Sequence, residues 1–467
     1  MTDIGAALAR ELGQDRVLED AATLAAHRMD YWILAHLRAR QGRLGAGPAC
    51  VVKPRATAEV STVMRLAQRH RVPVVPYGAG SGVVGGATPP PGALVVDLRA
   101  MDRLLELDEH ALYARVQAGM MGGLYEATVS ARGYTSGHYP QSINVSTVGG
   151  WVATRAAGQF STRYGNIEDI CFGLEAVLPS GEVIRLEPMP RASVGPSLRE
   201  LFLGSEGTLG IVTEVVLRLH PLPEERALAA FAFPTMAAAL DTVRRVLRVG
   251  WRPAVLRAYD ATETARQFSA WAPADTCLLL AVSEGPSALV QVEMAACARE
   301  AAGGGGKAVG NEPVTHWLEA RNTVPSWDFF LDREMVVDTI EVAATWGRIE
   351  KVYDAVIAAL SSSPSVVVAS GHSSHGYVQG TNIYFTFVVK PQDFARAEEA
   401  YLEAWGRAMR ATLAGGGTIS HHHGIGRLRA RWLAEELGSA YPLVRDLKRA
   451  LDPSGIMNPG ALLPEAG

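Results

Sequence analysis

The chain reads as an α+β protein of more than one domain, and three observations predict it. Between residues 50 and 96 the texture runs strand, helix, strand: Cys50-Val-Val52, the stretch Thr57 to Arg71, Val72-Pro-Val-Val75 and Ala93-Leu-Val-Val96. That alternation marks an α/β unit. From residue 224 to about 420, longer helical stretches alternate with strand runs, the pattern of an α+β domain laid over the first. Finally, 467 residues exceed what one ordinary core holds. The expected organisation is a helical segment over 1–46, one domain over 47–223, a second over 224–420 and a helical segment over 421–467.

The elements follow in order. Leu8, Leu12, Leu24, Tyr31, Leu34 and Leu37 include intervals of three, four and seven, which predict helices in the first 46 residues. The stretch Thr57 to Arg71 is amphipathic, with Thr57 as expected N-cap and Glu59 in the first turn. Residues 111–222 continue the α/β manner, closing with Ile211-Val212, Val215-Val216-Leu217 and the stop His220-Pro-Leu-Pro223. Beyond it, helices are expected over Thr235–Val249, Pro286–Ala302 and Arg348–Leu360, proline being tolerated in a first helical turn. Strands are expected over Thr276–Val282 and Ser365–Ala369, and Gly303–Gly306 reads as an exposed loop. The tail from Gly424 to Leu463 reads as helical, with no internal repeat anywhere.

Composition excludes several classes. A net charge of −4 over this length argues against a nucleic-acid surface. Cys50, Cys171, Cys277 and Cys297 form neither a C-x-x-C pair nor a disulfide framework. No apolar run of spanning length occurs, and residues 1–23 lack a secretory signal, so a cytoplasmic protein is expected.

Two glycine-rich segments carry the first functional signal: Val75-Pro-Tyr-Gly78-Ala-Gly80-Ser-Gly82 and Leu203-Gly-Ser-Glu206-Gly207-Thr208-Leu-Gly210-Ile-Val212. Gly80-Ser-Gly82-Val-Val-Gly85 satisfies the dinucleotide fingerprint, but that pattern needs a following helix to hold the phosphates. Pro89-Pro90-Pro91 forbids one, so the Rossmann-type reading fails. What remains is a nest of backbone N–H groups left open by the absence of Cβ atoms. A tight turn without ligand explains one such loop equally well. It explains three less well, and Ser146-Thr147-Val-Gly149-Gly150 is a third.

These segments resemble the FAD-binding domain of the vanillyl-alcohol oxidase and p-cresol methylhydroxylase (PCMH-type) superfamily. The stretch His138-Tyr-Pro140-Gln-Ser142-Ile-Asn-Val-Ser146-Thr147-Val-Gly149-Gly150-Trp-Val-Ala153-Thr154-Arg155-Ala156-Ala-Gly158, with Tyr164-Gly-Asn-Ile-Glu-Asp169, resembles its alkylglycerone-phosphate synthase branch. The tail Asp452-Pro-Ser-Gly-Ile-Met-Asn-Pro-Gly460 is similar instead to glycolate and D-lactate dehydrogenases. The resemblance implies a PCMH-type domain of two α/β subdomains, an α+β substrate domain with an antiparallel sheet, and a C-terminal segment returning to the FAD domain. It implies an FAD site at Pro76, Tyr77, Gly78, Ala79, Gly80, Ser81, Gly82, Pro140, Ser142, Ser146, Thr147, Gly149, Gly150, Ala153, Thr154, Arg155, Ala156, Glu206, Gly207, Thr208, Gly210, Ile211 and Val212. No histidine lies in 78–82 or 140–158, where relatives tether the flavin, so FAD is expected to be non-covalent. A homodimer is an expected assembly.

The second signal is Thr418-Ile-Ser-His421-His422-His423-Gly424. In an extended segment only His421 and His423 share a side, and no carboxylate or thiol stands at a ligand offset, so no metal is expected. Histidine passes protons near neutrality. The resemblance puts this run beside the flavin and matches Tyr384 to the synthase's proton-abstracting tyrosine, although an aromatic on a half-buried strand is the plain alternative. It matches Arg257 to an active-site arginine suited to an acid group, the alternative being an ion pair to Asp260. His372 and His375 belong equally well to the pocket or to a polar loop. Where the synthase has a second, phosphate-binding arginine this chain has Ser326-Trp327-Asp328; Arg321 or Arg333 are the substitutes, and Thr339 stands where a serine follows.

The expected function is therefore FAD-dependent oxidation of a 2-hydroxy acid or related alcohol, a small molecule. His422 or a neighbour, or Tyr384, takes the hydroxyl proton, hydride passes to flavin N5, and Arg257 anchors the acid. The alternatives are a synthase-like transferase using FAD without net redox in ether-lipid synthesis, and an accessory flavoprotein without catalysis.

Overall fold

The computed structural model describes residues 3–464; residues 1–2 and 465–467, the ends of the first and last expected segments, lie outside the described residues. The first sheet contains β1 (Val17–Leu18), β2 (Cys50–Val52), β3 (Val74–Tyr77) and β4 (Leu94–Asp97) in the order β1-β2-β4-β3. Its last three strands are parallel, and their Val- and Leu-rich runs are buried on both faces, as parallel strands require. The helix Thr57–His70 lays Val60, Val63, Met64 and Ala67 on this sheet. Its N-cap is Ala56 rather than Thr57. Thr57 sits one residue inside, and its hydroxyl donates instead to Glu175 at 2.5 Å, a buried acceptor that outcompetes local capping.

The second sheet is antiparallel: β5 (Leu104–Asp108), β6 (Tyr113–Gln117), β8 (Cys171–Val177), β9 (Val183–Leu186) and β10 (Ile211–Arg218), ordered β5-β6-β10-β8-β9, with β7 (Tyr134–Thr135) pairing apart with β11 (His220–Pro221). The short helix Val148–Thr154 packs on it through Val148, Trp151 and Val152.

The third sheet holds seven antiparallel strands: β12 (Glu225–Phe233), β13 (Val255–Tyr259), β14 (Cys277–Gly285), β15 (Lys307–Ala308), β16 (Val336–Thr345), β17 (Val366–Ser373) and β18 (Gly380–Val389), ordered β15-β12-β14-β13-β17-β18-β16. Helices Met236–Arg248, Trp346–Ser361 and Ala397–Gly415 cover one face with the largest core, including Leu240, Val243, Val352, Val356, Trp405 and Met409. The opposite face of β13, β17, β18 and β16 carries Arg257, His372, Tyr384 and Glu341, and it is there that polar chemistry gathers.

Both ends of the chain tie the layers together. Trp32 Nε1 donates to the Tyr401 hydroxyl at 3.0 Å, and His27 Nε2 meets the buried Asp97 carboxylate at 3.1 Å. The tail returns along β3, with Val74 N donating to Ile456 O at 2.7 Å and Asn458 N to Val74 O at 2.8 Å.

Candidate functional site

The glycine loops converge. Gly78 faces Thr147 and Gly207 faces Pro76 so closely that a Cβ on either would overlap its neighbour, and Gly80 at φ +69° has the Tyr77 hydroxyl against it. No N–H of Ala79, Gly80, Ser81 or Gly82 donates to another described residue. In keeping with the proline run that follows, 78–88 contains no helix. Amide donors left free on a loop that cannot accept side chains fit a diphosphate. The hydroxyls nearby serve their own loops. Ser146 Oγ donates to Ser142 O and accepts from Trp151 Nε1, both at 2.8 Å; Thr154 Oγ1 donates to Gly150 O at 3.0 Å and Thr208 Oγ1 to Ser205 O at 2.7 Å. Thr147 caps the helix it precedes. Arg155 turns outward to Glu168 at 3.3 Å. Pro140, Gly149, Gly210, Ile211 and Val212 are buried, and Gly150, Ala153 and Ala156 half-buried, around the same junction.

Glu206 has a different task. Its buried carboxyl accepts from Ile425 N at 2.6 Å and Gly426 N at 2.7 Å, stitching this junction to the chain just after the histidine run. Asn458 Nδ2 adds bonds to Gly86 O at 2.8 Å and Glu206 O at 2.7 Å, and Lys448 Nζ holds Thr208 O at 2.8 Å.

The histidine run is not extended: residues 421–423 form successive bends, so the alternation assumed from sequence does not apply. Glu341, on β16, sets the loop. Its fully buried carboxylate takes both terminal nitrogens of the fully buried Arg429 at 2.6 Å each, lies 2.7 Å from His423 Nδ1, and accepts from His423 N at 2.9 Å and Ser420 Oγ at 3.2 Å. Burial alone would raise this carboxyl; Arg429 and His423 hold it well below its ordinary value. His422 stacks over Tyr384 with ring centres 6.0 Å apart, and its Nδ1 meets His421 Nδ1 at 2.8 Å. His421 Nε2 then meets the Tyr377 hydroxyl at 2.7 Å. His375, from the β17–β18 connection, stacks on His421 at 4.9 Å with its Nδ1 on Ser161 Oγ at 2.7 Å. The histidines at 375, 421 and 422 bring ligand atoms within 4.8 Å of one another. Burial pushes His421 down to about 4 and His422 and His375 well below the ordinary range, so all three are neutral acceptors. Burial pushes the Tyr384 phenol upward, so it keeps its proton at neutral pH.

Arg257 ends a second chain. Glu263 Oε2 accepts from His372 Nδ1 at 2.8 Å, and His372 Nε2 accepts from Arg257 Nη2 at 2.5 Å. Burial and the adjoining guanidinium bring His372 down to about 4. Burial opposes ionisation of Glu263, yet the hydrogen bonds from His372 and Thr386 and the nearby Arg266 keep it below its ordinary value. The ring of His372 also stacks on Tyr384 at 4.9 Å, joining the two networks. The expected alternative, an Arg257–Asp260 pair, is absent among the described residues: Asp260 caps a helix through Glu263 N at 2.8 Å and accepts from Tyr353 at 3.1 Å. Of the two substitute arginines, Arg333 lies over Phe329 at 3.8 Å, on an exposed turn. Arg321 and Arg257 line one cavity of about 120 Å³ with Gln141, Gln159, Gln267, His316 and Trp317.

Sequence reasoning missed Glu263, Glu341, Arg429 and the glutamines. The available signal was Glu341 itself, an acid inside the apolar run Ile340–Val342, where a charge must have a buried partner.

A glycine-built loop with free amides and a carboxylate-supported cluster of neutral imidazoles suit a flavoprotein oxidoreductase. Residues 48–187 match the FAD binding domain and 222–462 the C-terminal domain of FAD linked oxidases, so the chain belongs to the FAD-linked oxidase family, and its cofactor is FAD. It is 33% identical to the FAD-linked oxidoreductase YgcU of Escherichia coli (strain K12) over 89% of each chain. It is 30% identical to glycolate oxidase subunit GlcD of Bacillus subtilis (strain 168), again over 89% of each. A solved alkyldihydroxyacetonephosphate synthase superposes with TM-score 0.82 at 26% identity, covering 98% of this chain and 86% of that one. For the fold alone, p-cresol methylhydroxylase gives 0.79 at 17% identity, covering 99% and 96%. The expected PCMH-type α+β fold is therefore found. No helix among the described residues is long and apolar enough to cross a membrane.

Proposed function

We propose that the protein oxidises a 2-hydroxy acid or a related alcohol, with FAD held non-covalently by the amides of 78–82 and the turns around 147–156 and 206–210. The observation that carries this reading is Arg257, a guanidinium with no carboxylate partner among the described residues, held in place by neutral His372 and the Tyr259 hydroxyl. A substrate carboxylate completes it in two-point contact. Bound FAD supplies the two-electron acceptor. His422 takes the hydroxyl proton, because it is neutral while Tyr384 beneath it stays protonated. The proton taken up is shared by His422 and His421, which meet Nδ1 to Nδ1 at 2.8 Å, and the Tyr377 hydroxyl, itself accepting from Asn166 Nδ2 at 2.8 Å, orients His421 through a 2.7 Å contact. Glu341 and Glu263 orient these groups and touch no substrate. The relative named a glycolate oxidase subunit supports an acid of this class.

The transferase reading has the synthase likeness and the Thr339–Tyr384 hydrogen bond in its favour. Anaerobic titration separates the two. Bleaching of the yellow holoenzyme by a panel of 2-hydroxy acids is expected. A protein left yellow by all of them that instead forms an adduct with acyl-dihydroxyacetone phosphate takes the transferase role.

A further inference from the structure

The matched family domains begin at residue 48, yet three side chains ahead of that point converge on one loop of the first domain. His27, Asp30 and Trp32 are all buried, and each meets the segment from Tyr77 to Thr88 at a different place. The His27 ring lies against Tyr77 with centres 4.9 Å apart, its Nε2 held 3.1 Å from Asp97. Trp32 stands at Gly85, where φ is +80° and a Cβ would come within 2.7 Å of a ring carbon. Asp30 takes the far end. Its carboxyl accepts from Ala87 N at 3.1 Å and from the Thr88 hydroxyl at 3.0 Å, while Asp30 N donates to that hydroxyl at 3.4 Å.

Entrance, bend and exit of the loop are therefore fixed from outside it. Between them the amides of 79–82 donate to no described residue. A loop this rich in glycine, without hydrogen bonds of its own at the centre, has no local reason to keep a concave shape. Fixing its ends in advance removes an ordering cost that a ligand would otherwise meet on binding. The segment that supplies the three side chains is moored in turn. Trp32 Nε1 donates to the Tyr401 hydroxyl at 3.0 Å, Trp327 Nε1 to Tyr31 O at 2.9 Å, and Arg28 Nη2 to Leu44 O at 3.0 Å.

We propose that His27, Asp30 and Trp32 form a clasp that keeps the 77–88 loop in its anion-binding shape, so that this leading segment sets how long FAD stays bound. The inference rests on the placement of FAD on 78–82 proposed above. All three act as positioning residues, through the loop rather than on the flavin. Asp30 carries the largest share, because its one carboxyl ties both Ala87 and Thr88.

The test is the rate at which diluted holoenzyme releases FAD, followed by the fluorescence of the free flavin. Asp30→Ala and Thr88→Val cut the same link from its two sides, and each is expected to speed release about tenfold or more. The double variant is expected to be no faster than the faster single one, since the two share one interaction. Asp30→Asn keeps an acceptor for Ala87 N and can donate to the Thr88 hydroxyl, so its release is expected to stay within about threefold of the parent's. Urea melts of the apoproteins separate this from a general loss of stability: Thr88→Val is expected to release FAD faster at a midpoint close to the parent's. Parent release rates in Asp30→Ala and Thr88→Val, or effects that multiply in the double variant, overturn the clasp. If Gly80→Val loses FAD while those two variants keep it, the clasp alone falls. If Gly80→Val stays fully yellow, the placement of FAD on the loop falls and takes the clasp with it.

Discussion

The proposed cofactor junction and the histidine–arginine wall are built from opposite materials. The junction is built from backbone: glycines at 78, 80 and 207 let amides and neighbouring loops approach, while nearby hydroxyls brace their own turns. The wall is built from side chains brought from β13, β16, β17, β18 and the run after Ser420, anchored at His372 by buried Glu263 and at His423 and Arg429 by buried Glu341. A backbone site depends on conformation and fails by steric change. A side-chain site depends on charge balance and fails by leaving a charge unpaired.

Breaking that balance has the largest expected effect. Glu341→Ala leaves Arg429, which is fully buried, without its anion, a loss of about 3–5 kcal/mol by comparison with other severed buried pairs. It also releases Ser420 and His423. Urea melts and turnover measured together check this; a loss below about 1 kcal/mol would mean the wall does not depend on Glu341.

The junction should respond differently. Gly80→Val puts a β-branched residue at φ +69° and drives its Cβ into the Tyr77 hydroxyl. FAD content is expected to fall about tenfold or more while the third sheet's melting signal remains. A fully yellow variant would show that this loop does not hold the cofactor.

A smaller effect concerns the seam between the two regions. Burial lifts Asp30, beside Gly82, to about 6, above the ~3.9 of an unfolded chain. The folded state therefore holds this proton more tightly. Its stabilisation is whole below about pH 4 and is lost as pH rises through about 6. Asp30→Asn is expected to remove about 2–3 kcal/mol of the stability loss between pH 4 and 7, read by denaturant melts at both ends. An unchanged pH slope would contradict it. Glu206, lifted by burial to about 7, adds a separate loss in the same direction.

This contrast explains what was legible in the sequence. The glycine turns were readable because glycine has a conformational meaning on its own, and Pro89–Pro91 was enough to exclude the helix that the Rossmann alternative needs. The strands were found within a few residues, as with Ser365–Ala369 against Val366–Ser373. Thr57 was misplaced because its acceptor, Glu175, is 118 residues away. His375 could be assigned neither to pocket nor to loop, since its neighbours Ser161 and His421 are set by tertiary packing.

The division of labour between cradle and wall is tested most directly by anaerobic visible absorbance of His422→Ala mixed with a 2-hydroxy acid that bleaches the parent protein. The account predicts a variant with a full complement of FAD whose bleaching is slower by about 10²–10⁴. A variant that bleaches at the parent's rate, or one that is colourless, would contradict it.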